Sequence, residues 1–475
     1  MVSPRAQTVP VSSADGPALE RRLGPFDAAG IIVANVIGGG ILFFPPGIAA
    51  NTPQTWVFLS TWVAGGFLAF CGAMAYAELA ALRPRAGGEY VYLREAYGRL
   101  AGFLTEWTSF IAGFAGAVAA SAMIVPFYLE RFAPGAANST PWLQIPIPYL
   151  PLTVSNQSLI AIAIVWLIAI IHIRGVGPGR VVSNALTILK VVALLGFIVV
   201  GLAVSGSTAA PQASSSAGAV SVTGWLLGLI VVMFVYSGWN AAAYMAEEVR
   251  DPGRNLPLAL ALGTGTVTLI YILINVLYLK VIPIQELVTL KGSVLDIAAE
   301  RLIGVRAGDV MGIVSIIGLT ASVNAMTFAG PRVYFAMARD GVFLPAAARI
   351  HPTYKTPWIS IAGQALWATI LILTGSLDAL GNYVAFAITL FAGTAVAAVF
   401  VLRARDPHAP RPFKAIGYPL TPAIFVLFSA LMVANSIYRQ PRVTGLGILL
   451  IAAGIPIYFW FTRRTAAAHA AVPPA

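Results

Sequence analysis

The chain has 475 residues, of which 58% are hydrophobic and only 10% charged, with a mean hydropathy of +0.83. That balance excludes an ordinary soluble domain and points to a polytopic helical membrane protein. The net charge of +11 argues for no nucleic acid here, because in such a chain the position of the charges matters more than their sum.

Residues 1–25 are polar and contain no apolar segment of signal-peptide type, so they read as a disordered cytoplasmic tail. Apolar runs long enough to cross a bilayer then begin near Phe26, Trp56, Leu100, Asn156, Val181, Gly224, Leu258, Gly308, Trp358, Ala379, Tyr418 and Val443. About twelve spans are expected. With the first residues inside, 21 of the 29 Lys and Arg residues fall in cytoplasmic segments, seven fall outside, and Lys190 lies within a span. This asymmetry follows the positive-inside rule and predicts a multi-pass protein of the cytoplasmic membrane with both termini cytoplasmic.

The first span is interrupted by Val36-Ile37-Gly38-Gly39-Gly40-Ile41. Each glycine weakens a helix interior by about 1 kcal/mol relative to alanine, so three in succession are expected to unwind it. Close packing through small residues is the alternative reading. The sixth span carries a second interruption, Phe234-Val235-Tyr236-Ser237-Gly238-Trp239-Asn240. From Phe26 to Gly38 and from Trp225 to Ser237 the chain advances twelve residues each time, about 18 Å of helix. Both breaks therefore fall near mid-depth of a core about 30 Å thick. Paired interruptions in corresponding halves point to an inverted-repeat transporter with its site at the midplane. The freed N–H groups of Gly39 and Gly40 would receive an anion, and the carbonyls of Val36 and Ser237 a cation. Together they suit the zwitterionic head of an amino acid.

Lys190 lies ten residues beyond Arg180, about 15 Å into the fifth span. At that depth an ammonium should be partnered, functional or neutral. Ser322 and Asn324 on the eighth span are candidate neighbours. Glu106 sits toward the cytoplasmic end of the third span, either as an interfacial charge or as a proton relay. Glu247 and Glu248, close in sequence to Arg250 and Arg254, read as a cytoplasmic ion-pair network or inner gate. Ser293 to Gly304 has helical spacing with charges on one side and reads as a lid on the outer face, and Ser205 to Thr223 as a flexible connector. The four histidines and the single cysteine, Cys71, share no metal-binding spacing, so neither a metal site nor a cofactor is expected.

Several of these stretches resemble the amino acid–polyamine–organocation (APC) superfamily. The residues are Val36 to Ile41, Arg83-Pro84-Arg85-Ala86-Gly87-Gly88-Glu89-Tyr90-Val91-Tyr92, Phe234 to Asn240 followed by Glu247 to Pro257, and Arg332 to Pro345. The sixth-span stretch looks like the L-type (LAT-like) branch. The resemblance implies an all-α fold of LeuT type, with two inverted five-helix repeats at about 26–206 and 224–405 and discontinuous helices one and six. Peripheral helices would occupy 406–464 and a cytoplasmic tail 465–475. It also implies secondary transport of amino acids rather than enzymatic chemistry. By position, Gly38, Gly39 and Gly40 would meet the substrate carboxylate, Val36, Ser237, Gly238 and Asn240 would complete the site, and Phe234 would gate it. Lys190 would stand where other members hold sodium, bridging spans one and eight. The hydroxyl-bearing residue usual in the first motif is Gly39 here.

The expected function is a sodium-independent amino acid permease working by alternating access, with protons as candidate co-substrates or exchange as the alternative. Because no acidic residue occurs at either break, neutral amino acids are favoured over basic amino acids, amines or polyamines. A nutrient sensor is a weaker alternative. The lipid bilayer and the amino acid are the expected partners, and no motif specifies an oligomeric state.

Overall fold

The computed structural model describes residues 19–146, 152–205, 221–374 and 377–470. The expected N-terminal tail up to residue 18, most of the Ser205 to Thr223 connector and the last five residues lie outside the described residues.

The first span is α1 (Pro25–Val36) followed, after the glycines, by α2 (Gly40–Phe43) and α3 (Pro45–Asn51). Helix α4 (Thr55–Leu82) leads to the short α5 (Glu89–Tyr97). The third span joins α6 (Arg99–Thr108) to α7 (Phe114–Leu129) through one π-turn at Ser109–Gly113. Next come α8 (Asn156–Ile173) and α9 (Val176–Ser205). The sixth span is α10 (Val222–Val235) and α11 (Ala241–Tyr244), followed by α12 (Pro252–Val281). Between spans lie α13 (Ile284–Thr289) and α14 (Val294–Ile303). The chain continues through α15 (Val305–Arg339), α16 (Trp358–Thr374), α17 (Leu377–Arg405), α18 (Leu420–Arg439) and α19 (Pro441–Ala470).

Among the described residues, ten helical segments are long and apolar enough to cross a membrane. Two shorter apolar helices, Val222–Val235 and Trp358–Thr374, accompany them. The protein is therefore an all-α membrane protein whose first and sixth spans are discontinuous. One feature was not expected: strands β1 (Leu143–Ile145) and β2 (Leu152–Val154) form a small antiparallel hairpin before α8. Leu143 and Ile145 are exposed on it.

The core is formed where α1 packs against α9, α12 and α15, and where α4 packs against α10 and α12. Small residues permit these approaches. A Cβ at Gly263 of α12 would come 2.8 Å from Ile32 of α1, and one at Gly65 of α4 would come 2.4 Å from Val232 of α10. Cys71 is buried and free, a small core residue.

On the face that carries the N-terminal segment, ion pairs join distant elements. Glu248 is fully buried and accepts from Arg332 at 2.7 and 3.2 Å. Glu247 pairs with Arg339 at 3.1 Å and also accepts the backbone N–H groups of Leu19 and Ala86. Both glutamates thus enter an ion-pair network, with partners from α15 rather than from the neighbouring Arg250 and Arg254. The Glu248 carbonyl accepts from Arg22 and Leu23, and Leu23 bridges Val249 in parallel fashion. Asp340 gathers Arg94 and the Tyr90 hydroxyl on the same face.

Burying Arg332 and Glu248 is tolerable only because each satisfies the other. Glu248→Gln should lower folding stability by about 3–5 kcal/mol by leaving the guanidinium uncompensated. The double change Glu248→Gln with Arg332→Met should recover much of that loss. Thermal unfolding of the three proteins in one detergent checks both expectations.

Candidate functional site

Unwinding α1 inside a membrane releases carbonyls that must find donors within the protein. The structure accounts for each of them. Lys190 Nζ, from α9, donates to the Ala34 carbonyl at 3.1 Å and to the Ile37 carbonyl. Ser322 Oγ, from α15, donates to the Asn35 carbonyl at 3.2 Å. The Tyr271 hydroxyl, from α12, is shared between the Val36 carbonyl at 2.8 Å and the Val235 carbonyl of the sixth span at 3.3 Å. Three helices therefore cap one helix end, and Tyr271 ties the two breaks together.

Gly38 and Gly238 are required by close approach. A Cβ at Gly38 would lie 2.7 Å from Ser322 Oγ. Gly238 has φ of +100° and would place a Cβ 2.9 Å from Asn35 Cγ. At Gly238 the second break thus lies against the end of α1. Past the first one, the N–H groups of Gly39 and Gly40 have no acceptor among the described residues and begin the turn of α2. At the second break, the Ser237 carbonyl receives no donor among the described residues.

These groups border a cavity of about 760 Å³, within the size range of small-molecule sites. Val36, Gly38, Gly39, Gly40, Phe234, Ser237, Gly238, Asn240 and Ser322 all line it. Phe234 stacks obliquely on Phe44, with ring centroids 5.4 Å apart. The third span contributes Thr105, Thr108, Ser109 and Ile124, and α17 contributes Ala387 and Phe391. The π-turn at Ser109–Gly113 borders the cavity through Ser109 and Gly113.

Three sequence expectations change. Ser322 and Asn324 do not bond to Lys190. Ser322 reaches the same helix end independently, and Asn324 turns away to pair with His172 of α8 at 2.9 Å. Lys190 meets α15 only through its stem, which runs over Gly318, where a Cβ would lie 3.2 Å from its Cδ. Glu106 is not an interfacial charge. It is fully buried, its carboxylate oxygens have no hydrogen-bond partner, and it does not border the cavity.

The carboxylate that does border the cavity is Glu89, at the start of α5. It accepts from the Tyr76 hydroxyl at 2.5 Å and from Asn240 Nδ2 at 2.6 Å. Burial raises its carboxyl above the usual range, against the lowering effect of those hydrogen bonds. Sequence reasoning passed over Glu89 because it lies outside any span. The tight Gly87-Gly88 turn, both residues with positive φ, was the available signal that it folds back inward.

Gly38→Ala should displace Ser322 and disorder the capped end, reducing substrate binding by at least tenfold. Adding Ser322→Ala should restore part of it, since the 2.7 Å contact is removed and a milder 3.3 Å contact with Cβ remains. Equilibrium binding to purified protein measures both.

The amino acid permease family profile matches residues 23–461. The human large neutral amino acids transporter small subunit 2 is 31% identical over 453 residues, covering 94% of this chain and 82% of that protein. The human cystine/glutamate transporter is 30% identical over 447 residues, covering 93% and 85%. A serine/threonine exchanger of Bacillus subtilis is 29% identical over 450 residues, covering 94% and 98%. With two broken spans, a cavity between them and this family match along nearly its whole length, the chain belongs to the amino acid permease family of the APC superfamily.

Proposed function

We propose that this permease carries neutral L-amino acids across the cytoplasmic membrane without sodium, by alternating access. The observation that carries the reading is the pairing of free N–H groups at Gly39 and Gly40 with the free carbonyl of Ser237 across one cavity. The substrate carboxylate lies at the glycines. Its ammonium lies at Ser237, with Val36 offering the lone pair that Tyr271 leaves. Gly238 and Asn240 shape the far wall, and Phe234 closes over the side chain. The relatives' names, a large neutral amino acids transporter and a serine/threonine exchanger, support the substrate class.

Lys190 occupies the space a sodium ion would need, its ammonium bonded to the carbonyls of Ala34 and Ile37. A fixed cation there supports sodium independence. Glu106 is buried, with no hydrogen bond of ordinary length at its carboxylate oxygens among the described residues. A proton relay through it would run by way of Glu89. Exchange without protons is the simpler arrangement. Both termini are cytoplasmic, the arginine-rich N-terminal face being the inner one, with repeats at about 26–206 and 224–405 and peripheral helices at 406–464. A specific observation favours one second reading: the Glu89 carboxylate at the cavity wall would suit a basic amino acid or amine. Its hydrogen bonds to Tyr76 and Asn240 favour a structural role instead.

Purified protein in liposomes should take up L-leucine or L-serine in preference to L-arginine, at a rate indifferent to a sodium gradient. Lys190→Ala should reduce that flux tenfold or more by uncapping α1, since each hydrogen bond to a charged group is worth about 1.5–3 kcal/mol. Sodium-driven accumulation, in the natural protein or surviving Lys190→Ala, would overturn the sodium-independent reading. No amino acid flux from folded protein would overturn the permease reading itself.

A further inference from the structure

Asp296 stands in the first turn of α14, on the face opposite the N-terminal segment. That helix wedges against α2, α9, α12 and α15, so its seating bears on the outer half of the broken first span. Asp296 is only 5% exposed, and its Oδ1 is buried without a donor. Two buried hydroxyls, Tyr128 of α7 and Tyr278 of α12, are close enough to Asp296 to sense it electrostatically, and a third, Ser315 of α15, lies beside Tyr128. None of the three makes a hydrogen bond of ordinary length. None of the four residues borders the substrate cavity.

The cation beside Asp296 is shared with other carboxylates. Arg131, just past α7, lies 2.7 Å from Glu300 and 3.0 Å from Asp309, but 4.0 Å from Asp296. One guanidinium thus serves three carboxylates. The groups around Asp296 are Tyr128 on α7 and Arg131 just after it, Tyr278 on α12, and Ser293 and Glu300 beside it, with Ser315 and Asp309 of α15 next to Tyr128 and Arg131. A buried carboxylate with an unpaired oxygen is costly. A carboxylic acid in the same place is neutral and escapes most of that cost.

We propose that Asp296 is a proton-binding site that seats α14, so that acid on the outer face holds this lid down and neutral pH lets it lift. The inference rests on the proposed orientation, in which this face is outward. Its sign follows from burial. In the seated helix, desolvation raises the Asp296 carboxyl from 3.8 to about 6, and Arg131 offsets only part of this. In a lifted helix, water returns it to the ordinary range. The seated state therefore binds the proton more tightly. Its advantage is full below about pH 4, declines as pH rises toward 6, and is absent above. Between pH 7.5 and pH 5 the seated-to-lifted ratio should rise roughly tenfold.

Hydrogen exchange of the α14 amides, in full-length protein reconstituted in lipid nanodiscs, tests this directly. After correction for the intrinsic pH dependence of exchange, protection of residues 294–303 should be about tenfold higher at pH 5 than at pH 7.5. Asp296→Asn, which is neutral at both, should make protection independent of pH. Equal protection of the natural protein at the two pH values would overturn the proposal, even if Asp296→Asn fails to fold. So would a pH response that persists in Asp296→Asn. L-leucine uptake is measured alongside at both pH values. Its absence throughout refutes the permease reading and leaves the exchange result to decide this one.

Discussion

Everything in the centre of this protein depends on four carbonyls at the end of α1. In water they would be satisfied at no cost. In a bilayer they must be satisfied by side chains, and Lys190, Ser322 and Tyr271 do so from three different helices. This requirement explains why α9, α12 and α15 all converge on α1. It also explains how a lysine is accommodated at that depth, since its Nζ replaces backbone donors rather than intruding on an apolar core.

The same capping divides the site by polarity. Donors spent on the carbonyl end of the break leave the amide end, at Gly39 and Gly40, open to the cavity. Tyr271 spans both interruptions, so the geometry of the first break fixes that of the second. Gly39 has no hydroxyl to offer, so its backbone N–H is the polar group it presents to the cavity. A Cβ there would lie 3.1 Å from Ile124, so side-chain recognition at that position would require the third span to yield.

Much of this was legible in the sequence because it is written locally. Glycine runs, the depth of Lys190 in an apolar span, and the one-sided charge pattern of α14 depend only on neighbours along the chain. Partnerships across the fold are not written that way. The ion-pair character of Glu248 could be read locally, but its partner Arg332, 84 residues away, could not. Asn324 has the same polar character as Ser322, yet two residues of helix rotate it from α1 to His172. Glu89 and Tyr271 were missed for the same reason: a loop glutamate and a span tyrosine acquire meaning only when packing brings them to the breaks.

The Glu247 carboxylate has a consequence of a different kind. It joins the main chain at Leu19, the main chain at Ala86 and the side chain of Arg339, which belong to three separate stretches of the molecule. None of the three can leave without exposing acceptor oxygens that the other two still hold in place. Moving any one of these stretches therefore breaks a bond to a carboxylate that the other two share, which couples their positions.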